Sequence, residues 1–152
     1  KEKFQHFKNL KKHFIGPIQS NKIKHIVKYS DVIQSLDNLK HLQKIDFHAK
    51  EQKKTIDFMF QVNISKDENK GGIHQDELMQ IIQEYQNLKL ENVKLIGLMT
   101  IGKKASPEER LAYYKELKQV FDQTGLKELS MGMSDDYKEI REGMLGTEYY
   151  SR

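Results

Sequence analysis

The segment from residue 56 to residue 64 constrains the fold of this chain more than any other. Its apolar residues alternate with a mixed set, Ile56, Phe58, Phe60, Val62 and Ile64 against Asp57, Met59, Gln61 and Asn63. A period of two predicts a strand. The apolar face would meet helices, and the mixed face would look toward a polar site, as in a barrel strand. A doubly wound sheet is the rival architecture, although its strands are usually apolar on both faces.

Further strand and helix patterns alternate along the chain. Strands are expected at 13–16, 32–36, 93–101 and 129–133. Helices are expected at 20–28, from residue 39 onward, around 78–85, at 106–124 and from about 135 to Arg141. Ser106-Pro107-Glu108-Glu109 combines a capping box with proline at the first helical position, and Gly125 suits a C-cap. Five strands that alternate with helices predict βα units and a parallel sheet.

Composition excludes several classes of site and partner. The chain has 152 residues, which suggests one domain, and its net charge is +4. It has no cysteine, which rules out disulfides, thiolate catalysis and cysteine-ligated zinc. The six histidines show no metal-ligand spacing. The lysines are spread out and no apolar run reaches the length of a membrane span, so neither a nucleic acid nor a membrane is expected as a partner.

The carboxyl ends of the strands are where α/β proteins place their sites. After the last predicted strand the chain reads "SMGMSDD" at 130–136. A helix that starts here would offer free backbone N–H groups, and Ser134 a hydroxyl, to a phosphate. The alternative is plain N-capping by Ser134 or Asp135. His13, in a strand before glycine, is either a packed and hydrogen-bonded histidine or a functional one.

Five blocks of sequence together resemble a known family. They are "HFIGPIQSNKIK" at 13–24, "SLDNLK" at 35–40, "QVNISKDENKGGI" at 61–73, "LIGLMTIG" at 95–102 and "ELSMGMSDDYKEIREG" at 128–143. In this order they are similar to the pyridoxal phosphate homeostasis proteins, also called proline synthetase co-transcribed homologues. The resemblance runs from about Lys3 to about Thr147.

The resemblance implies a fold and a function. The fold is a partial (β/α)8 TIM-type barrel of the alanine racemase N-terminal domain type, with five to six βα units in one incomplete domain over residues 1–152. The function is binding of pyridoxal 5′-phosphate (PLP) in intracellular vitamin B6 homeostasis, without enzymatic turnover, in the cytoplasm. The resemblance assigns the cofactor phosphate to Ser134, Gly146 and Thr147. Met133 and His13 complete the expected cofactor-binding set, and no catalytic or metal-binding residue is assigned.

Two departures from the family pattern bear on how the cofactor would bind. The cofactor lysine of the family lies on a first strand that would precede residue 1, so no Schiff-base lysine is assigned here. Met144 stands where the family has an arginine near the pyridine nitrogen. About five of the eight strands of a complete barrel are present in this sequence. The chain is therefore expected to be a fragment or a faulty gene model of a complete protein, a shortened paralogue completed by a partner or by self-association, or a decayed remnant.

Alternative functions remain open at this point. The chain could be a cofactor-free interaction module on the same scaffold, or the remnant of an amino-acid racemase-like enzyme. Its expected partner is a small-molecule cofactor. It is expected to be a monomer or to self-associate through exposed barrel edges.

Overall fold

The computed structural model describes residues 10–65, 69–102 and 105–132, together with the backbone of 148–150. The elements, in chain order, are β1 (His13–Phe14), a 3₁₀ turn (Ser20–Lys22), α1 (Ile23–Tyr29), β2 (Val32–Leu36), α2 (Leu39–Glu51), β3 (Ile56–Asn63), β4 (Ile73–His74), α3 (Gln75–Leu88), β5 (Val93–Met99), α4 (Pro107–Thr124), β6 (Glu128–Ser130) and β7 (Glu148–Tyr150).

The described strands form one parallel sheet. Their order is β1-β2-β3-β5-β6-β7, and β4 pairs with the carboxyl end of β3 beside this path. Each pairing is parallel. The predicted alternation of strands and helices is confirmed. Two short strands, β4 and β7, were not predicted.

The two faces of β3 behave as its period of two predicts. Its apolar face, Ile56, Phe58, Phe60 and Val62, is at most 1% exposed and belongs to the core shared with helices α1 to α4. On the other face Met59 is fully buried but lies outside that core, and Asn63 is 6% exposed. Asp57 and Gln61 on this face are half-buried.

The sheet curls into an arc whose inner, concave face carries Met59. Ser130 Oγ on β6 donates to Gln34 Oε1 on β2 at 2.7 Å, although β3 and β5 lie between these strands. Three strand spacings in a flat sheet would amount to about 14 Å, more than two side chains and one hydrogen bond can bridge. The contact therefore requires a curved sheet, and the partial barrel is confirmed.

Gly97 lets β5 and β6 approach. It lies where the register between β3 and β5 shifts, and it pairs with Glu128 of β6. A Cβ at this position would come within 2.0 Å of the Glu128 carbonyl oxygen. The glycine of "LIGLMTIG" is thus required by the packing of two backbones.

Most element ends follow local signals. Ser106 and Glu109 form the predicted capping box, and Gly125 ends α4 with φ of 71°. The first helix begins as a 3₁₀ turn in which Lys22 N donates to Gln19 O. β6 ends at Ser130 rather than at Met133, since Gly132 with φ of 86° turns the backbone out of the strand.

In the described part of the chain, no helix is both long and apolar enough to cross a membrane.

Candidate functional site

The carboxyl ends of four parallel strands meet at one rim of the arc. β3 ends at Asn63 and β6 at Ser130, while Asp37 follows β2 and Thr100 follows β5. Thr100, which follows β5, links β3 and β6 at this rim. Its Oγ1 donates to Val62 O at 2.8 Å, and its backbone N donates to Ser130 O at 3.0 Å.

A short loop is clasped against this rim. Gln61 Nε2 donates to Gly71 O and Asn63 Nδ2 to Lys70 O, both at 3.1 Å, and Gly72 N donates to Asp37 Oδ2 at 3.3 Å. Gly72 has φ of 121°, and a Cβ there would lie 2.9 Å from Asn63 N. The polar half of the β3 pattern therefore holds the "NKGG" loop in place.

A buried hydrogen-bond network crosses the concave face. Gln34 Nε2 lies 2.7 Å from His13 Nδ1, while Gln34 Oε1 accepts from Ser130 Oγ. Burial, followed by the positive charge of Lys11, lowers the pKa of His13 below 6.5. The neutral imidazole fits this geometry, because an amide nitrogen can only donate and Nδ1 must accept.

The predicted site residues divide into two groups. His13 reaches the concave face, where it joins Gln34 and, through it, Ser130. Met133, Ser134, Gly146 and Thr147 lie outside the described residues, as does the predicted helix to Arg141.

Sequence reasoning missed Gln34. The signal was its place in "VIQSL", where it is the most polar residue of a strand that is buried throughout. A buried amide must find partners, so such a residue indicates a network.

The described chain also has a groove at a distance from this rim. No cluster of three metal-ligating side chains occurs among the residues described. A groove of 370 Å³ is lined by residues 10–14 with Tyr29 and Ser30. It lies beside the amino-terminal ends of β1 and β2, at the opposite end of the strands from Ser130.

The sequence matches the alanine racemase N-terminal domain family over residues 6–144. Curated relatives include the pyridoxal phosphate homeostasis proteins of Pasteurella multocida, 35% identical, and of Synechocystis, 37% identical. The matches cover 89% and 91% of this chain but 62% and 66% of those relatives. The chain thus spans less than two thirds of the length of the curated relatives it matches.

Solved structures share the fold. PipY of Synechococcus elongatus, solved with PLP bound, superposes with a TM-score of 0.82 at 24% identity, covering 98% of this chain and 71% of PipY. PipY without PLP gives 0.74 at 29% identity, with the same coverage. An alanine racemase of Clostridium difficile gives 0.69 at 18% identity and covers 94% of this chain and 38% of the racemase. The resemblance drawn from the five sequence blocks is confirmed. The chain belongs to the alanine racemase N-terminal domain family, and the curated relatives that it matches are called pyridoxal phosphate homeostasis proteins.

Proposed function

We propose that this chain is the PLP-binding part of a vitamin B6 homeostasis protein, acting as a carrier of the cofactor in the cytoplasm rather than as an enzyme. The observation that carries the proposal is the position of Ser130, the first residue of "SMGMSDD". This residue ends β6 at the rim of the arc, where parallel α/β folds place their ligands. The names of the curated relatives and the PLP bound to PipY support the same ligand.

We infer the phosphate seat from the segment that follows this rim. The hydroxyls of Thr100 and Ser130 are buried and donate to Val62 O and Gln34 Oε1, so these residues shape the rim, and Gly132 places no side chain beside it. The chain then continues to Ser134, whose hydroxyl we assign to the phosphate together with Gly146 and Thr147. We place Met133 and His13 beside the cofactor ring, His13 as a neutral imidazole held through Nδ1 by Gln34.

We further propose that residues 1–152 hold PLP through its phosphate and not through an imine with one of their own lysines. None of the lysines within these residues matches the anchor of the family pattern, and Met144 stands where that pattern has an arginine. When bound, the cofactor would supply an aldehyde that can form an imine. The contribution of this chain is the phosphate seat, so binding is expected to be reversible and weak.

A PLP titration followed by absorbance, with borohydride trapping and mass mapping of adducts, tests the proposal. A hydrogen bond to a charged group contributes about 1.5–3 kcal/mol, so Ser134→Ala is expected to weaken binding by about 10- to 100-fold. Ser106→Ala, which removes the serine hydroxyl that caps α4, is the matched control and should leave affinity unchanged.

The titration can contradict the proposal in two separate ways. The absence of saturable PLP binding would overturn the carrier function. Binding that Ser134→Ala leaves intact would overturn the assigned phosphate seat. A stoichiometric adduct on one lysine would overturn the lysine-free mode of binding and identify a substitute anchor.

A second candidate is a cofactor-free interaction module, favoured by one apolar edge. In the described residues β1 pairs only with β2, and the groove beside it contains Leu10, 61% exposed, and Tyr29, 43% exposed. Self-association through this edge predicts a mass above that of the monomer in light scattering, lost on Leu10→Lys. A monomer at all concentrations, unchanged by that substitution, would contradict it.

A further inference from the structure

Gln34 is a buried amide with a partner at each end. It is 3% exposed, and Ser130 is 0% exposed. A buried amide that lacks partners destabilises the fold, and here the oxygen and the nitrogen are both engaged. The amide thus joins β1, β2 and β6, and β6 is not a neighbour of the other two.

We propose that Gln34 is a positioning residue for the rim at Ser130 and Gly132, because it fixes Ser130 and links it to His13. The proposal rests on the function proposed above. Thr100 N holds the carbonyl of Ser130 at 3.0 Å, and Gln34 holds its hydroxyl at 2.7 Å. Ser130 is therefore fixed through both its backbone and its side chain. Ser134 follows four positions later in the sequence.

The hydrogen bonds that join Ser130, Gln34 and His13 form a bridge across the concave face. Which atoms donate along this bridge depends on the protonation of His13. With neutral His13, Ser130 donates to the amide oxygen and the amide nitrogen donates to Nδ1. A proton on Nδ1 makes His13 a donor, which requires the Gln34 amide to rotate so that its oxygen faces the ring. The amide nitrogen then donates to Ser130 Oγ, and the Ser130 hydroxyl no longer donates to Gln34.

The surroundings of His13 set the pH at which the hydrogen bonds of the bridge reverse direction. Burial acts first and Lys11 second to lower its pKa. Glu128 on β6, Asp31 before β2 and Asp57 on β3 act in the opposite direction. The net effect lowers the pKa of His13. At neutral pH the imidazole is therefore neutral and accepts from Gln34, and in acid the hydrogen bonds reverse direction.

The first test needs no cofactor. Backbone amide signals of Ser130 and Gly132 are followed by NMR from neutral to acidic pH, together with the His13 ring. We expect them to follow the His13 titration in the wild-type chain and in the control Gln52→Met, which removes the side-chain amide that follows α2 and donates to Lys24 O. In Gln34→Met they should stop following it. Signals that still follow it in Gln34→Met, or that never follow it in the wild type, would overturn the proposal.

Gln34→Glu provides a second variant should Gln34→Met not fold. Its carboxylate can accept from Ser130 and favours protonated His13, so the His13 titration should move to higher pH. An unmoved titration would contradict the bridge.

PLP affinity completes the test. It should fall at least tenfold in Gln34→Met relative to Gln52→Met, and equal affinities would refute positioning. If the wild type binds no PLP, the proposed function fails, and the NMR coupling alone still decides the role of Gln34.

Discussion

Replacing Gly97 by alanine is expected to separate β5 from β6 and to disturb the rim at which Ser130 lies. The added Cβ would stand 2.0 Å from Glu128 O and 2.7 Å from Glu128 C. Both atoms are backbone, so no rotamer change relieves the clash. An ordinary contact begins near 3.4 Å, and the two strands must therefore move apart by roughly 1.4 Å at this point.

The expected cost follows from the ladder that this movement breaks. β6 pairs with β5 at three register positions, starting at Gly97, and Thr100 N adds a bond to Ser130 O. Each backbone hydrogen bond has a net value of about 0.5–1.5 kcal/mol. Loss of two or three of them predicts a destabilisation of about 3 kcal/mol, within the upper range for overpacking.

Urea unfolding measures this cost. With a slope of about 2 kcal/mol per M, the midpoint should fall by about 1.5 M. Gly125→Ala is the matched control, because Gly125 also has a special role but no atom lies within 4 Å of its added Cβ. Its positive φ predicts a loss of only about 1–2 kcal/mol. A Gly97→Ala loss below 0.5 kcal/mol, or no larger than that of Gly125→Ala, would refute the steric reasoning.

Three further predictions concern the scaffold. Phe60→Ala, in the core, should cost about 3–5 kcal/mol in urea unfolding, and a loss below 1 kcal/mol would contradict its packing role. Ser106→Ala should cost about 1 kcal/mol through its lost cap, whereas Ser106→Asp should restore stability. The lowered pKa of His13 means that the unfolded chain binds more protons between that pKa and 6.5. The free energy of unfolding should therefore rise with pH across that window, and His13→Asn should flatten the rise. An identical dependence of stability on pH in the variant would exclude His13 as its source.

Local patterns in the sequence were sufficient to predict the framework. The alternation in β3 predicted both its strand and its two faces, because one face meets helices and the other lines the arc. The bounds of β2 at 32–36 and the capping box of α4 follow equally local rules. These features depend on short-range sequence patterns and not on contacts between residues distant in the sequence.

The missed features depend on contacts distant in sequence. β4 has two residues and exists only through pairing with β3, and β7 lacks a regular alternation. Gln34 and Ser130 are 96 positions apart, and they meet only because the sheet curls. The single-domain assignment over 1–152 and the roles of Ser134, Gly146 and Thr147 stay predictions.

The most direct measurement of the central claim is where PLP binds on the chain. Amide chemical shifts should be recorded during titration with PLP and, separately, with inorganic phosphate. The carrier function predicts that both ligands shift signals at the rim, at Thr100, Gly132 and Ser134. Shifts centred instead on Leu10, Phe14 and Tyr29 in the groove, or scattered over surface lysines, would contradict it.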